Sequence, residues 1–150
     1  MPILETPYFG RLTYDESAAI EFAIGMPGFE EEKRFVIVEP PSHAPMVYLQ
    51  SMGRRDLCFL ALPVLAVDGS YGLRLGAEEL KALGFEEQPV INRDVVCLCL
   101  VTIPEEGPVT VNLAAPVVIR RSTRKAVQVI QGDSEYSFRH PLPAPVEGGC

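Results

Sequence analysis

Alternation of apolar and polar residues dominates this chain, and helical spacing surfaces in one place only. From Val95 to Ile103 the run VVCLCLVTI carries no charge and one hydroxyl, so both faces of the predicted strand must be covered by other parts of the protein. After a turn across Pro104–Pro108 the pattern changes. Val109, Val111 and Leu113 now fall on one side with Thr110 and Asn112 on the other, the period of a half-buried strand. The Asn112 amide must find partners there or face solvent. Pro116 removes a ladder donor just before Val117, Val118 and Ile119, which predicts a bend or bulge followed by a new strand.

The same reading extends along the rest of the chain. Alternation predicts strands at Phe9–Tyr14 and Ile20–Ile24, joined as a hairpin by the polar YDES stretch. Pro27 and Gly28 mark a turn, EEEK is either a solvated face or one helical turn, and Arg34–Glu39 returns to strand. PPSHAP reads as a loop. Further strands are predicted at Met46–Gln50, Leu57–Leu62 and Tyr71–Leu75, the last with Tyr71, Leu73 and Leu75 on one face. The single helix is AEELKALGF, with acidic residues in its first turn, Leu80 and Leu83 three apart, and Gly84 at the stop position. Arg120, Arg121, Arg124 and Lys125 bracket a hairpin loop, followed by the strand AVQVIQ and a turn at Gly132 and Asp133. About ten short strands and one short helix, with no strand–helix alternation, predict a mainly β fold, a small antiparallel β-barrel. One domain is expected over 1–142, with a loose tail from Pro143 to Cys150.

Composition narrows the function. With 47% hydrophobic residues in 150, the chain can bury a core without staples and is not expected to be disordered. No apolar run approaches the roughly 18 to 20 residues that span a bilayer, and MPILETPYFG lacks the basic and apolar regions of a secretory signal. A cytoplasmic location is expected. A net charge of −7 argues against direct nucleic-acid binding, which depends on accumulated Lys and Arg, and favours a basic protein partner.

Candidate chemistry is sparse. Cys97 and Cys99 share one strand face about 6 to 7 Å apart, poor geometry for a disulfide, and no CxxC motif accompanies the two histidines, His43 and His140. Ordinary buried thiols are therefore expected at Cys58, Cys97 and Cys99 rather than a metal site, and an exposed thiol at Cys150. His140 reads as a surface or capping residue, and His43 as a loop residue with no evident partner. The adjacent carboxylates at Glu30–Glu32, Glu78 and Glu79, Glu86 and Glu87, and Glu105 and Glu106 sit in turns or helix starts, where solvated charge outweighs acid–base catalysis. Gly25, Gly28 and Gly53 have no nucleotide-binding spacing. No enzyme, cofactor or metal is expected.

The blocks IGMPGFEEEKRFVIVE, YLQSMGRRDLCFLALP, LCLVTIPEEGPVTVNLAAPVVI and GDSEYSFRHPL together resemble the flagellar assembly factor family FliW. The similarity runs from Phe9 to Leu142. PGFE, LQS, VTIP, NLxAPxxI and YxxRHPL are each weak alone and specific in series. The resemblance implies a non-catalytic β-barrel in the cytoplasm. It also implies binding to flagellin or, alternatively, to CsrA, a small basic RNA-binding dimer that represses flagellin translation. Charge complementarity with CsrA makes Glu30, Glu31 and Glu32 after the PGF turn, and Asp133 and Glu135 before YSFRHPL, the candidate contacts. The free protein is expected to be a monomer. The runner-up is a non-catalytic β-barrel interaction module with a different partner. Two departures from the family pattern stand out. Lys125-Ala126-Val127-Gln128 lacks the Gly usual before that Gln, so a local difference is expected there. The C-terminal extension is short, with Glu147 as its one charged side chain, which weakens the expectation of CsrA antagonism relative to flagellin binding.

Overall fold

The computed structural model describes residues 2–7, 9–131 and 135–142. Asp133 and the predicted tail from Pro143 lie outside them.

Eleven strands form among the described residues. Ile3–Thr6 (β1) and Gly10–Thr13 (β2) make a two-stranded antiparallel sheet. Ala19–Phe22 (β3), Arg34–Val38 (β4), Val47–Ser51 (β5), Cys58–Pro63 (β6), Val95–Thr102 (β7), Val117–Arg120 (β9) and Lys125–Gln128 (β10) close into a seven-membered ring, because β7 pairs with β9 and β10 pairs with β3. Thr110–Val111 (β8) and His140–Pro141 (β11) extend the sheet beyond the outer half of β7. The β10–β3 pairing is parallel, with Lys125 opposite Glu21 and Ala126 opposite Phe22. The barrel is thus mixed rather than wholly antiparallel. Closure leaves no open edge within the ring.

Alternation sorts the side chains into two layers. Phe22, Phe35, Leu49, Phe59, Leu98, Ile119 and Ala126 belong to one cluster supplied by all seven ring strands, and register pairs them around the ring as Ile20 with Phe35, Val47 with Ala61, and Leu98 with Val117. That cluster fills the barrel. The opposite faces carry Tyr48, Leu62, Cys97, Cys99, Val118 and Val127, which pack beneath Tyr71, Leu75 and Leu83. Both faces of β7 are covered, as its uncharged sequence requires.

The first predicted hairpin does not form. A turn after Thr6, in which Phe9 N–H donates to Thr6 Oγ1 at 2.9 Å and Gly10 takes φ +62°, folds β2 back on β1 instead. Asp15 accepts from Ser17 N–H at 2.8 Å and starts a short 3-10 turn over Glu16–Ala18, so YDES is not a two-strand connection. Tyr71–Leu75 buries its first and last residues but joins no ladder. Its Gly72, Arg74 and Leu75 N–H groups donate to the side chains of Tyr136, Gln131 and Gln88 at 2.6, 2.8 and 2.8 Å. Periodicity registers burial of alternate residues, which this strap has, and is blind to what satisfies the backbone.

A one-turn helix at Val64–Val67 (α1) follows β6 and was not anticipated. The predicted helix is Ala77–Leu83 (α2). Glu79 reaches back to Gly76 N–H at its start, and Gly84 at φ +77° ends it, with Phe85 N–H returning to Leu80 O at 2.8 Å. The basic hairpin serves this helix. Arg120 donates to Leu83 O and Gly84 O at 2.8 and 2.9 Å and lies over the Phe85 ring, while Arg121 donates to Asn92 O. Ala126 is an ordinary buried strand residue, and the left-handed position of the hairpin is Arg124, φ +63°.

Cys97 and Cys99 lie in the outer layer, and burial pushes both thiols up to about 12. Cys99 donates to Leu62 O at 3.3 Å. Cys58 is half-buried rather than in the core. With burial holding both thiols well above the usual range, Cys97 and Cys99 carry very little thiolate at pH 8. A thiol reagent is expected to leave both untouched until the protein unfolds, with Cys58 reacting earlier. Rapid labelling of Cys97 in folded protein, read by mass spectrometry, would contradict this packing.

Candidate interaction surface

The PGF loop is built by local steric demands. Gly28 adopts φ +85° as the third residue of a turn closed by Phe29 N–H to Met26 O at 2.8 Å, with Pro27 ahead of it. Met26 is buried and the Phe29 ring meets Phe59 edge-on at 5.2 Å, so the loop is anchored at both ends. Gly25 is required for a different reason. A Cβ there would lie 2.7 Å from both Cα and O of Glu30.

The three acidic residues that follow have three different situations. Glu30 is exposed, and its Oε1 accepts from Gly28 N–H at 3.1 Å; hydrogen bonds from its own N–H and that of Gly28 hold its carboxyl below the usual range. Glu31 is exposed and has no hydrogen bond or ion pair among the described residues. Glu32 is half-buried. Its Oε2 accepts from Ser51 Oγ at 3.0 Å, and Ser51 Oγ accepts in turn from Arg54 N–H at 2.9 Å. A Cβ at Gly53 would come within 2.9 Å of the same Oε2, so Gly53 leaves room for the carboxylate. Glu32 ties the PGF loop to the β5–β6 turn.

That turn is assembled around Gln50, which sequence reasoning passed over. Gln50 is fully buried, and its Nε2 faces three carbonyls, Ser51 O, Arg55 O and Leu57 O, at 3.1, 2.9 and 3.2 Å. Its Oε1 is buried without a partner among the described residues. A Gln closing an otherwise apolar strand, immediately before SMG, was the available signal.

The NLAAP segment is held in the same way. Asn112 Oδ1 accepts from Ala114 and Ala115 N–H at 3.1 and 3.0 Å, so its amide finds partners as expected. Tyr71 Oη donates to Leu113 O at 2.6 Å, and burial drives the Tyr71 phenol pKa far upward. Glu135 is exposed beside Tyr136, whose ring stacks on Tyr71 with centroids 4.3 Å apart. RHPL supplies β11, in which His140 pairs with Val111. Glu135 therefore belongs to the strap side of the molecule and Glu30–Glu32 to the PGF loop, with no described contact joining them.

The two histidines and the cysteines assemble no metal centre among the described residues. His43 does have a partner, Tyr48 Oη at 2.9 Å from Nδ1. Among the described residues no group of three His, Cys, Asp or Glu side chains could hold a metal. Among the described residues no helix is long and apolar enough to cross a membrane.

The family model described as FliW protein matches residues 3–142. The chain belongs to the FliW family. Flagellar assembly factor FliW from Bacillus subtilis is 32% identical over 141 residues, spanning 93% of this chain and 96% of that protein. The Syntrophomonas wolfei protein of the same name is 31% identical over 148 residues, 98% of this chain and 92% of its own length. A crystal structure of the flagellar assembly factor FliW superposes with a TM-score of 0.80 at 29% identity, covering 97% of this chain and 99% of that one. As a FliW family member the chain is a non-catalytic assembly factor.

Proposed function

We propose that this chain is a cytoplasmic factor that binds flagellin and, when free of it, binds and antagonises CsrA, relieving repression of flagellin synthesis. Membership of the FliW family supports the flagellar role. The observation that favours a basic partner such as CsrA is the pair Glu30 and Glu31, exposed on a loop whose backbone is fixed by Gly25, Gly28, Met26 and Phe29. Fixed charge needs little ordering on binding and steers association. Glu32 contributes chiefly by holding the loop, and Glu135 is a second exposed carboxylate for the same partner. Asp133 stays in the proposal on its sequence position alone. The free protein is taken as a monomer.

The test is a double charge reversal, Glu30→Lys with Glu31→Lys, leaving Glu32 in place. Association with CsrA is expected to slow by about tenfold at low salt, with a shallower salt dependence and a melting temperature lowered only slightly by loss of the exposed acceptor for Gly28 N–H. Wild-type association by that variant would remove the PGF loop from the interface. Flagellin and CsrA are expected to compete, and a stable ternary complex in size-exclusion chromatography would overturn the exclusivity. Co-elution with neither would leave an interaction module with another partner.

A further inference from the structure

A recess of about 470 Å³ opens where the β2–β3 connection, β4 and the β9–β10 hairpin meet, lined in part by Tyr14, Glu16, Glu21, Arg34, Arg124 and Lys125. Its charge opposes that of the molecule. The chain carries a net −7, yet three cations and two carboxylates line this recess, and one carboxylate, Glu21, is already engaged by Lys125. Arg34 and Arg124 make no ion pair among the described residues. Arg120 and Arg121, by contrast, donate to backbone carbonyls, so the cations of the same hairpin divide into two that serve the fold and two that turn to the recess.

Arg124 adds an independent observation. It occupies the left-handed position that ends the hairpin, φ +63°, with its N–H on Arg120 O at 2.9 Å and its carbonyl accepting from Glu21 N–H at 3.0 Å. The turn needs that backbone conformation. It does not need a guanidinium, since Gly satisfies the same dihedral without steric cost. An Arg here keeps a conformational penalty and delivers a planar fork of donors to the recess, a geometry suited to a carboxylate.

We infer that this recess is a docking site for an acidic segment of a protein partner, with Arg34 and Arg124 clasping a side-chain carboxylate and the Tyr14 phenol beside them. Nucleic acid is disfavoured as the occupant by the net charge of −7, which opposes accumulation of an extended phosphate backbone on the molecule. The volume accommodates a few side chains.

The test titrates the intact protein with a short synthetic peptide of alternating Glu and Ala, followed by backbone-amide NMR, with inorganic phosphate in parallel. The probe is neither flagellin nor CsrA, so the result stands apart from the partner assignment above. Peptide-induced shifts are expected around Tyr14, Arg34 and Arg124. They should weaken by about tenfold in Arg34→Glu and in Arg124→Gly. Arg124→Gly is also expected to melt at or above the wild-type temperature, which separates loss of binding from loss of fold. Unchanged peptide binding in Arg124→Gly, or shifts centred elsewhere, would overturn the site. Equal shifts with phosphate at the same concentration would make it a small-anion site and overturn the acidic-segment assignment.

Discussion

Gln50→Glu is expected to cost about 3 to 5 kcal/mol at neutral pH, the penalty of an uncompensated buried charge. The substitution exchanges a donor that faces three carbonyl oxygens for a carboxylate that those oxygens repel. Burial and the carbonyl dipoles both raise the pKa of the new carboxyl above its unfolded value of about 4.3. The cost is therefore fully present above the raised folded value and fades as pH falls through it, because the protonated acid can again donate to one carbonyl. Melting temperature should drop by about 6 to 20 °C at pH 7 and recover on acidification relative to wild type. Gln50→Leu separates the two contributions. It removes the donor without adding charge and relieves the partnerless Oε1, so a loss of about 1 to 3 kcal/mol with no such pH trend is expected. Thermal melts across pH measure both, and a Gln50→Glu variant as stable as wild type at pH 7 would mean that the turn is not built on this amide.

Gln50 also marks where sequence reading stopped. Its neighbours Val47, Leu49, Leu60 and Leu62 announce strands as short apolar runs, and those strands are present at β5 and β6. What fixes the connection between them is one amide collecting carbonyls from residues one, five and seven positions onward, and no periodicity encodes that. The helix at α2 was legible because its signals are local: acids in the first turn, Gly84 at the end. A barrel was predicted, but the parallel contact that closes it was not. The parallel contact of β10 with β3 joins residues about a hundred positions apart over two register pairs, and neither strand's own pattern distinguishes a parallel neighbour from an antiparallel one. Tyr71–Leu75 shows the converse, an alternating segment whose donors were claimed by side chains of Gln88, Gln131 and Tyr136.

The candidate surface was legible in composition and illegible in geometry. Charge alone grouped Glu30, Glu31 and Glu32 as equivalent contacts. The fold separates them, since Glu32 is turned to Ser51 and sheltered by Gly53 while Glu30 and Glu31 face outward. The residue that decides this arrangement is an inconspicuous glycine five positions before Glu30.

Gly25→Ala is expected to shift the whole PGF loop. The added methyl would sit 2.7 Å from the Glu30 Cα and carbonyl oxygen, a separation at which backbone rather than a flexible side chain must yield. Overpacking of this kind costs about 1 to 3 kcal/mol. Because Glu30 itself is displaced, the Gly28 N–H to Glu30 Oε1 bond at 3.1 Å should break and both exposed carboxylates should be presented differently. If the PGF loop meets a basic partner as proposed, Gly25→Ala should slow CsrA association to a degree comparable with the double charge reversal, although it alters no charge. Glu30→Gln supplies the contrast: it keeps an acceptor for Gly28 N–H and the loop geometry, and removes one charge, so its melting temperature should stay at wild type while association slows modestly. The pair of variants discriminates position from charge. Full-speed association by Gly25→Ala despite a lowered melting temperature would show that the loop's shape is immaterial to binding, and would confine its role to tying β3, β4 and the β5–β6 turn together.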